Sequence, residues 1–243
     1  MPVATASFVR RWAATFVAAA ALGAGQGAAA AAISVAPVLI EFDAGRRTAV
    51  LEVAGPSAEP VTVQVRLFRW SQSGGEDVYE PTDDIGFSPP MFQLPPGGRQ
   101  VVRLLLRAGP PAEREAAYRV FVDEIPGADR PGAVQMQIRM ILPLFVAPRE
   151  PGGAVLQWRG AHEPGSGLAT VTARNTGSRR VRLQDLAYLE DGRAHPIAPG
   201  LSGYVLAGEG RSWSFPAPAA EAVELTAATD TGALRAAVSL SPP

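Results

Sequence analysis

Cysteine and lysine are both absent from the 243-residue chain, and all 22 of its cationic residues are arginine. Without Cys there can be no disulfide framework, no thiolate zinc or iron–sulfur site and no thiol nucleophile. Without Lys there can be no lysine Schiff base and no P-loop lysine. The formal net charge of −1 lacks the basic excess that is typical of nucleic-acid binders, so we expect no nucleic-acid partner.

The first 32 residues contain no Asp or Glu and have the layout of a secretory signal peptide. Arg10 and Arg11 precede a short apolar stretch, and a Gly/Ala-rich run of small residues follows it. The apolar stretch is shorter than the roughly 20 residues that span a bilayer. We therefore expect residues 1–32 to be a cleaved signal peptide and the mature chain to have no membrane-inserted segment.

Most of the remaining chain alternates apolar and polar residues over short stretches that Gly and Pro separate. This alternation predicts half-buried strands, and convincing helical periodicity is absent. The clearest predicted strands are 61–67, 102–107, 118–122, 134–140, 168–175 and 181–189, and shorter strands are predicted around 203–207, 211–215, 222–228 and 233–239. A Pro/Gly-rich stretch at 147–153 divides the pattern. The sequence thus predicts an all-β protein with two β-sandwich domains, 33–148 and 149–243.

Residue types that carry catalysis are scarce and scattered. The two histidines, His162 and His195, fall in predicted loops without further metal ligands nearby, so we expect no metal site and no cofactor. The adjacent acids at 83–84 and 123–124 would point to opposite faces of a strand, which does not suit an acid/base pair. Nucleophile-elbow and phosphate-loop motifs are also missing. We therefore expect a protein that is not an enzyme.

Two features favour binding, and each leaves two interpretations open. The segment 134–144 is long, apolar on one face and almost uncharged. It is either an ordinary core strand or an edge strand that pairs with another protein by β-augmentation. The row Arg99, Arg103 and Arg107 is either a solvated strand face or a clamp for carboxylates, which the guanidinium fork fits.

Three stretches, taken together and in this order, resemble the periplasmic chaperones of chaperone–usher pilus assembly. They are EPTDDIGFSPPMFQLPPGGRQVVRL (80–104), AYRVFVDEIP (117–126) and VQMQIRMILPLFVAP (134–148). The likeness extends to ISVAPVLIEF (33–42) and VTARNTGSRRVRL (171–183). It implies two immunoglobulin-like β-sandwich domains in a boomerang arrangement and a location in the periplasm. The implied partners are pilin subunits and an outer-membrane usher.

The resemblance also implies a mechanism, donor-strand complementation. Pilin subunits lack their last strand, and the last strand of the chaperone's first domain fills the resulting groove until the usher receives the subunit. By position, that strand is 134–146, and its donor side chains are Val134, Met136, Ile138 and Met140. An uncovered apolar edge also leaves open that the protein caps itself as a homodimer.

The sequence departs from the family at the carboxylate anchor. Where other members have an Arg in the first strand and a Lys in the donor strand, this chain has Leu39 and Pro143. The pattern resembles the archaic branch that is associated with spore-coat-U-type pilins. Any anchor for the pilin's terminal carboxylate must then be another arginine, and we expect Arg119 first, followed by Arg103 and Arg139.

A second departure concerns the family's interdomain salt bridge. Its acid is retained as Glu124, but the position of its Arg partner holds Ala147. We therefore expect the contact between the domains to be held differently.

Two other functions compete with the chaperone hypothesis. The first is a secreted structural or carbohydrate-binding sandwich of a surface appendage, although the tryptophans after the signal segment are few and scattered. The second is a secreted hydrolase, for which the sequence offers no clustered acid/base set.

Overall fold

The computed structural model describes residues 33–43, 45–56, 59–127 and 137–241. The predicted signal segment 1–32 and the predicted donor residues Val134 and Met136 lie outside these ranges. Within the described ranges the regular structure consists of strands alone. This part of the chain therefore contains no helix that is long and apolar enough to cross a membrane.

Seventeen strands follow one another along the described chain. The first ten are β1 (Ser34–Ala36), β2 (Ile40–Phe42), β3 (Thr48–Ala54), β4 (Val61–Ser73), β5 (Glu76–Pro81), β6 (Ile85–Ser88), β7 (Met91–Leu94), β8 (Arg99–Leu106), β9 (Ala116–Ile125) and β10 (Arg139–Val146). The remaining seven are β11 (Leu156–Glu163), β12 (Leu168–Asn175), β13 (Val181–Glu190), β14 (Arg193–Val205), β15 (Gly210–Pro216), β16 (Ala222–Thr229) and β17 (Gly232–Ser241).

Strands β1–β10 form a first sandwich of two sheets. One sheet has the order β1-β3-β8-β6, and the other has the order β2-β10-β9-β4-β5 with β7 also paired to β4. Alternate residues of the long strands point between the sheets, as the period-2 pattern predicts. The most deeply buried members of this core are Leu51, Val53, Val63, Val102, Val120, Val122 and Leu144.

Strands β11–β17 form a second sandwich. They follow the order β14-β13-β16-β17-β11-β12-β15, and a short parallel pairing of Gly160 and Ala161 with Leu240 and Ser241 joins β11 to β17. Both arms of this sheet contribute side chains to shared buried clusters, so the sheet folds over on itself. The predicted all-β class with two immunoglobulin-like sandwiches is confirmed.

Most predicted strands are present, but some elements differ from expectation. The donor strand predicted over 134–146 begins, within the described residues, at Arg139, so the predicted donor residue Ile138 lies just before β10. The two histidines lie in strands and not in loops: His162 is in β11, and His195 is in β14, where its ring stacks on Tyr188. Strand β14 begins ten residues before the predicted strand at 203–207, and its pairing with β13 is irregular. Two prolines and two glycines interrupt its alternation, which hides it from pattern analysis.

An aromatic cluster joins the two sandwiches. Trp70 of β4 meets the edge of Tyr204 of β14 with the ring centroids 5.7 Å apart, and Phe145 of β10 packs 5.6 Å from the same Tyr204 ring. The buried Gln72 amide donates to the Tyr204 carbonyl at 2.8 Å and accepts from the Leu206 N–H at 3.0 Å. Apolar packing and paired buried amides therefore act together at this contact.

A buried carboxylate adds ion pairs to this contact. Glu115, whose side chain is 1% exposed, accepts from Arg179 at 3.1 Å and from Arg180 at 2.6 Å. Arg180 also pairs with Glu41, and its guanidinium lies 3.7 Å from the centroid of Phe145. Because Glu115 and Glu41 belong to the first sandwich and the arginines to the second, this network fixes one sandwich against the other.

Glu124, which the resemblance marks as the family's interdomain acid, takes no part in this contact. Glu124 lies near the other end of β9 from the contact, and its buried Oε2 has no hydrogen-bond partner among the described residues. Burial raises the pKa of this carboxyl. The acid at the contact is Glu115, immediately before β9.

We expect Glu115→Gln to lower the free energy of unfolding by about 3 kcal/mol, because it removes the charge that compensates the buried Arg180. The matched control is Glu224→Gln, which breaks an exposed pair with Arg235 on the surface of the second sandwich. That change should cost less than about 1 kcal/mol. Urea titration of both variants measures the difference, and equal losses would contradict a structural role for Glu115.

Candidate binding site at an open strand edge

Strand β10 has one edge that is only partly covered. On one side it pairs with β9 along its whole length, from Arg139 opposite Asp123 to Val146 opposite Ala116. On the other side β2 pairs with Leu144–Val146 only. Among the described residues, the stretch 139–143 therefore has no strand partner on its outer side.

The hydrogen-bond register shows which backbone groups this open edge presents. The Glu124 N–H donates to the Ile138 carbonyl at 3.0 Å, so residue 138 is a hydrogen-bonded position of the antiparallel pair. Bonded positions alternate along a strand. The N–H groups of Arg139 and Ile141 consequently point away from β9, towards the open edge. Pro143, which has no N–H, falls on the same outer side, where a proline removes no bond to β9.

The described donor side chains lie at the rim of the first core. Ile138 and Met140 are half-buried and pack against it, while the next residues on the same face, Leu142 and Leu144, are buried inside it. The face of β10 that the sequence predicts to be apolar is thus continuous with the protein's own core. Towards residue 138 this face becomes progressively more accessible.

Arg119 lies beside this edge, directly opposite Pro143 in the register of β9 and β10. Its guanidinium is 3.6 Å from the centroid of Trp70 and 5.9 Å from that of Tyr204, which places it against the contact between the sandwiches. Leu39 packs against the same aromatic cluster. Leu39 and Pro143, which occupy the positions of the anchor cations in other family members, therefore both lie near Arg119.

The charge of Arg119 is not neutralised by an ion pair within the described chain. Its Nε is buried and lacks a hydrogen-bond partner there. The nearby Asp77 carboxylate is already bound by Arg211 at 3.1 Å and by Gln72 at 3.0 Å. Burial lowers the pKa of Arg119, and Tyr79 and Asp77 offset this only in part. Because arginine stays protonated in proteins, the site is a half-buried positive charge that can accept an anion.

Arg139, another anchor candidate, is engaged within the first sandwich. It donates to Asp123, which also accepts from Arg66 at 3.0 and 2.7 Å. Burial by itself would raise the pKa of the Asp123 carboxyl, but the hydrogen bonds from Arg139 and Arg66 outweigh it and hold the pKa below its usual value. Arg139 therefore fixes the start of β10 to β9 and β4.

Arg103, the remaining candidate, lies on the other sheet of the first sandwich. It belongs to β8, and its side chain is on the outer, exposed face. The structure thus does not bring the three arginines together: Arg119 is at the sandwich contact, Arg139 is at the start of β10, and Arg103 is on the opposite sheet.

Sequence reasoning missed the aromatic side chains that surround Arg119. Trp70 lies within β4. The inward residues of that strand are Val61, Val63, Val65 and Leu67, so alternation places Trp70 on the opposite face, which it predicts to be solvated. A tryptophan at such a position is a signal that a second surface covers it. Tyr204 carries no comparable signal, because β14 does not alternate regularly.

No group of three or more His, Asp or Glu side chains in the described ranges is arranged to hold a metal ion. The groups that the site does present are the apolar edge of β10 and the Arg119 guanidinium, which can bind a strand and an anion.

Comparison with known proteins gives one family match and a consistent set of structural neighbours. Residues 32–151 match the family described as pili and flagellar-assembly chaperone, PapD N-terminal domain. No curated protein sequence matches the chain.

Among solved structures, the chain is similar to the CsuC–CsuE chaperone–tip adhesion subunit pre-assembly complex of Acinetobacter baumannii, with 22% identity and a TM-score of 0.67 over 88% of this chain and 100% of that one. The SafB chaperone complex with SafA pilin from Salmonella enterica gives 20% identity and a TM-score of 0.60, covering 85% and 96%. The CupB2 chaperone of Pseudomonas aeruginosa gives 20% and 0.55, covering 85% and 100%.

These neighbours share the fold of both sandwiches, and the family match covers the sandwich that holds β10 and Arg119. Residues 32–151 therefore form the N-terminal domain of the PapD family of pili and flagellar-assembly chaperones, and the chain as a whole has the two-sandwich fold of the solved chaperones of chaperone–usher pili.

Proposed function

We propose that this protein captures pilin subunits by donor-strand complementation and delivers them to an outer-membrane usher. The single observation that carries the proposal is the half-buried Arg119 guanidinium, which has no ion pair within the described chain and lies beside the open edge of β10. An edge strand supplies main-chain hydrogen bonds to an incomplete sandwich, and a fixed cation supplies the point that sets its register. The role is one of binding, without catalysis.

The open edge is suited to receive a strand. The outward N–H groups of Arg139 and Ile141 and the neighbouring carbonyls can continue the sheet into a subunit. Ile138 and Met140 already face the apolar side, and Val134 and Met136 would extend this row by two further residues. Because the row begins at the protein's own core, a bound subunit would add its core to that of the chaperone.

Arg119 is suited to bind the terminal carboxylate of the subunit. It lies between the positions at which other family members have their anchor cations, which are Leu39 and Pro143 in this chain. The contact with Trp70, 3.6 Å from the guanidinium carbon to the ring centroid, holds the cation in place, and the guanidinium group can bind a carboxylate bidentately. A single arginine thus takes the place of the Arg and Lys pair.

Three further assignments belong to this proposal. We assign the chain to the archaic branch, in keeping with its missing Lys and its likeness to CsuC–CsuE. We assign residues 1–32 as the signal peptide that directs it to the periplasm. The domain limit after residue 148 is supported by the gap between the end of β10 at 146 and the start of β11 at 156.

Carbohydrate binding, the alternative, gains no support from the aromatic side chains. Trp158 and Trp213 stack on each other at 5.9 Å and pack against the second core, and Trp70 is buried at the sandwich contact. None of the three tryptophans is an exposed platform for a sugar ring.

Met136→Glu and Ile138→Asp should each abolish capture of the cognate pilin. Each puts a charge on the face that enters the subunit, at a cost of at least about 3 kcal/mol, or more than a hundredfold in affinity. The control is Gln137→Glu, which adds the same charge at the intervening exposed position. Co-expression and co-purification measure the 1:1 complex, and normal complexes with both donor variants would refute the donor-strand assignment.

Arg119→Ala should weaken binding of a peptide that ends in the pilin's terminal carboxylate by about 2–5 kcal/mol. The same peptide with a C-terminal amide should bind wild type weakly and lose little further affinity to the variant. Arg103→Ala, on the other sheet, is the matched control. Calorimetric titration of both peptides gives the coupling between Arg119 and the carboxylate, and a coupling of zero would remove Arg119 as the anchor.

A further inference from the structure

The outer face of the β1-β3-β8-β6 sheet carries an apolar strip that nothing in the proposed function uses. Val50 of β3 is 55% exposed, and Leu105 and Val101 of β8 are 49% and 36% exposed. Thr48 and Val50 lie opposite Leu105 and Arg103 in the register, so these side chains are neighbours on one face. A shallow concavity of about 590 Å³ lies along it. We call this surface, defined by Val50, Val101, Arg103, Leu105 and Arg107, the β8 face.

The β8 face is also strongly cationic. Arg103 and Arg107 form no ion pair with any described residue. Arg47, beside them, donates to the carbonyls of Leu106 at 3.1 Å and Arg107 at 3.2 Å, which are neutral acceptors. Only Arg99, at the far end of β8, has a carboxylate partner, Glu52, at 2.7 Å. Three positive charges at one end of the strip are therefore uncompensated.

A glycine shapes this cationic end. Gly86 of the edge strand β6 lies opposite Leu105, and a Cβ at Gly86 would come within 2.6 Å of Arg107 Nε. The absence of a side chain lets the Arg107 guanidinium lie across β6, next to the aliphatic strip. The sheet thus holds a cation and an apolar surface side by side.

We propose that the β8 face docks an acidic segment of a partner protein, whose carboxylates pair with Arg103 and Arg107 and whose aliphatic side chains cover Val50 and Leu105. Exposed apolar strips of this kind mark interaction sites when charged residues border them. The uncompensated guanidiniums select a partner of opposite charge and accept its carboxylates bidentately.

Charge and composition exclude two other occupants. A second copy of this chain, related by a two-fold axis, would bring the arginine row against itself, and like charges opposed in this way are destabilising. A membrane surface is disfavoured because the β8 face lies on a sheet and Phe87, which borders its concavity, packs against the first core, whereas interfacial binders use amphipathic helices that expose Trp or Phe.

The β8 face lies on the sheet that contains neither β10 nor Arg119. A partner could therefore bind there while a subunit occupies the open edge of β10. The inference is independent of the proposed function, since it depends only on the exposed strip and its unpaired arginines.

The test uses the mature protein and a short, soluble synthetic peptide that alternates Glu with Val, labelled for fluorescence anisotropy. A peptide that alternates Arg with Val is the probe of opposite charge. We expect the acidic peptide to bind, the basic peptide not to bind, and the affinity to fall as salt is raised.

Arg103→Glu combined with Arg107→Glu should reduce binding of the acidic peptide by at least about tenfold. Gly86→Ala, which displaces Arg107, should cause a smaller loss. The control is Arg159→Glu combined with Arg174→Glu, the same charge change on exposed strand positions of the second sandwich, which should have no effect. Pilin capture should be unchanged in all of these variants.

No binding of the acidic peptide, or binding that the control reduces as much as the Arg103 and Arg107 changes do, would overturn the proposal. Binding of anionic phosphatidylglycerol vesicles, but not of the peptide, with dependence on Arg103 and Arg107 would also overturn it and identify a lipid surface instead. Thermal unfolding of each variant verifies that the fold is retained. If the double variant unfolds, the proposal is tested by Gly86→Ala alone, and unchanged peptide binding by that variant would overturn it.

Discussion

The packing of Trp70 and Phe145 against Tyr204 is the contact on which the functional geometry depends. Trp70 belongs to β4 and Phe145 to β10, the two strands that flank β9 and its Arg119 in the first sandwich. Tyr204 belongs to β14 of the second sandwich. Gln72 satisfies two backbone groups across the same contact, and Glu115 ties two arginines of the second sandwich to the first. With this contact in place, Arg119 is held against Trp70 and Tyr204, without an ion pair in the described chain, and next to the open edge of β10.

Under the proposed function, this arrangement would allow the chain to anchor an anion without lysine. A lysine at the position of Pro143 would need its own charge balance at an edge strand. Arg119 reaches the same place from the neighbouring strand, and its planar guanidinium gains cation–π stabilisation from Trp70. Pro143 is tolerated because its missing N–H falls on the outer side of β10. The absence of a lysine at position 143 is thus consistent with the position of Arg119 directly opposite it on β9.

Much of the first sandwich could be predicted from the sequence, because buried and exposed residues alternate along strands such as β8. Val102, Leu104 and Leu106 point inwards, and Arg99, Val101, Arg103 and Leu105 point outwards. Resemblance to a family then ranked Arg119 first among the anchor candidates, ahead of arginines that the fold places elsewhere. What could not be predicted depends on distant pairing. Glu115 and Arg180 are 65 residues apart and have no local pattern that would join them.

The resemblance identifies Glu124 as the family's interdomain acid and shows that its Arg partner is replaced by Ala147. The direction of β9 explains why Glu124 takes no part in the contact, because it places this residue away from the second sandwich. Trp70 was the one missed residue with a local signal, since it interrupts the polar face of β4 with a large apolar ring. Tyr204 had none, because the prolines and glycines of β14 break the alternation on which strand prediction depends.

The central claim, that the outer edge of β10 between Arg139 and Pro143 receives a strand of the subunit, can be tested directly by hydrogen exchange resolved at single amides. The free protein should exchange the amides of Arg139 and Ile141 rapidly, because they point away from β9, and those of Met140 and Leu142 slowly. In the complex with a pilin subunit, the Arg139 and Ile141 amides should become protected to about the same degree as those of Met140 and Leu142. If those two amides exchange equally fast with and without the subunit, the subunit does not pair with this edge and the account is wrong.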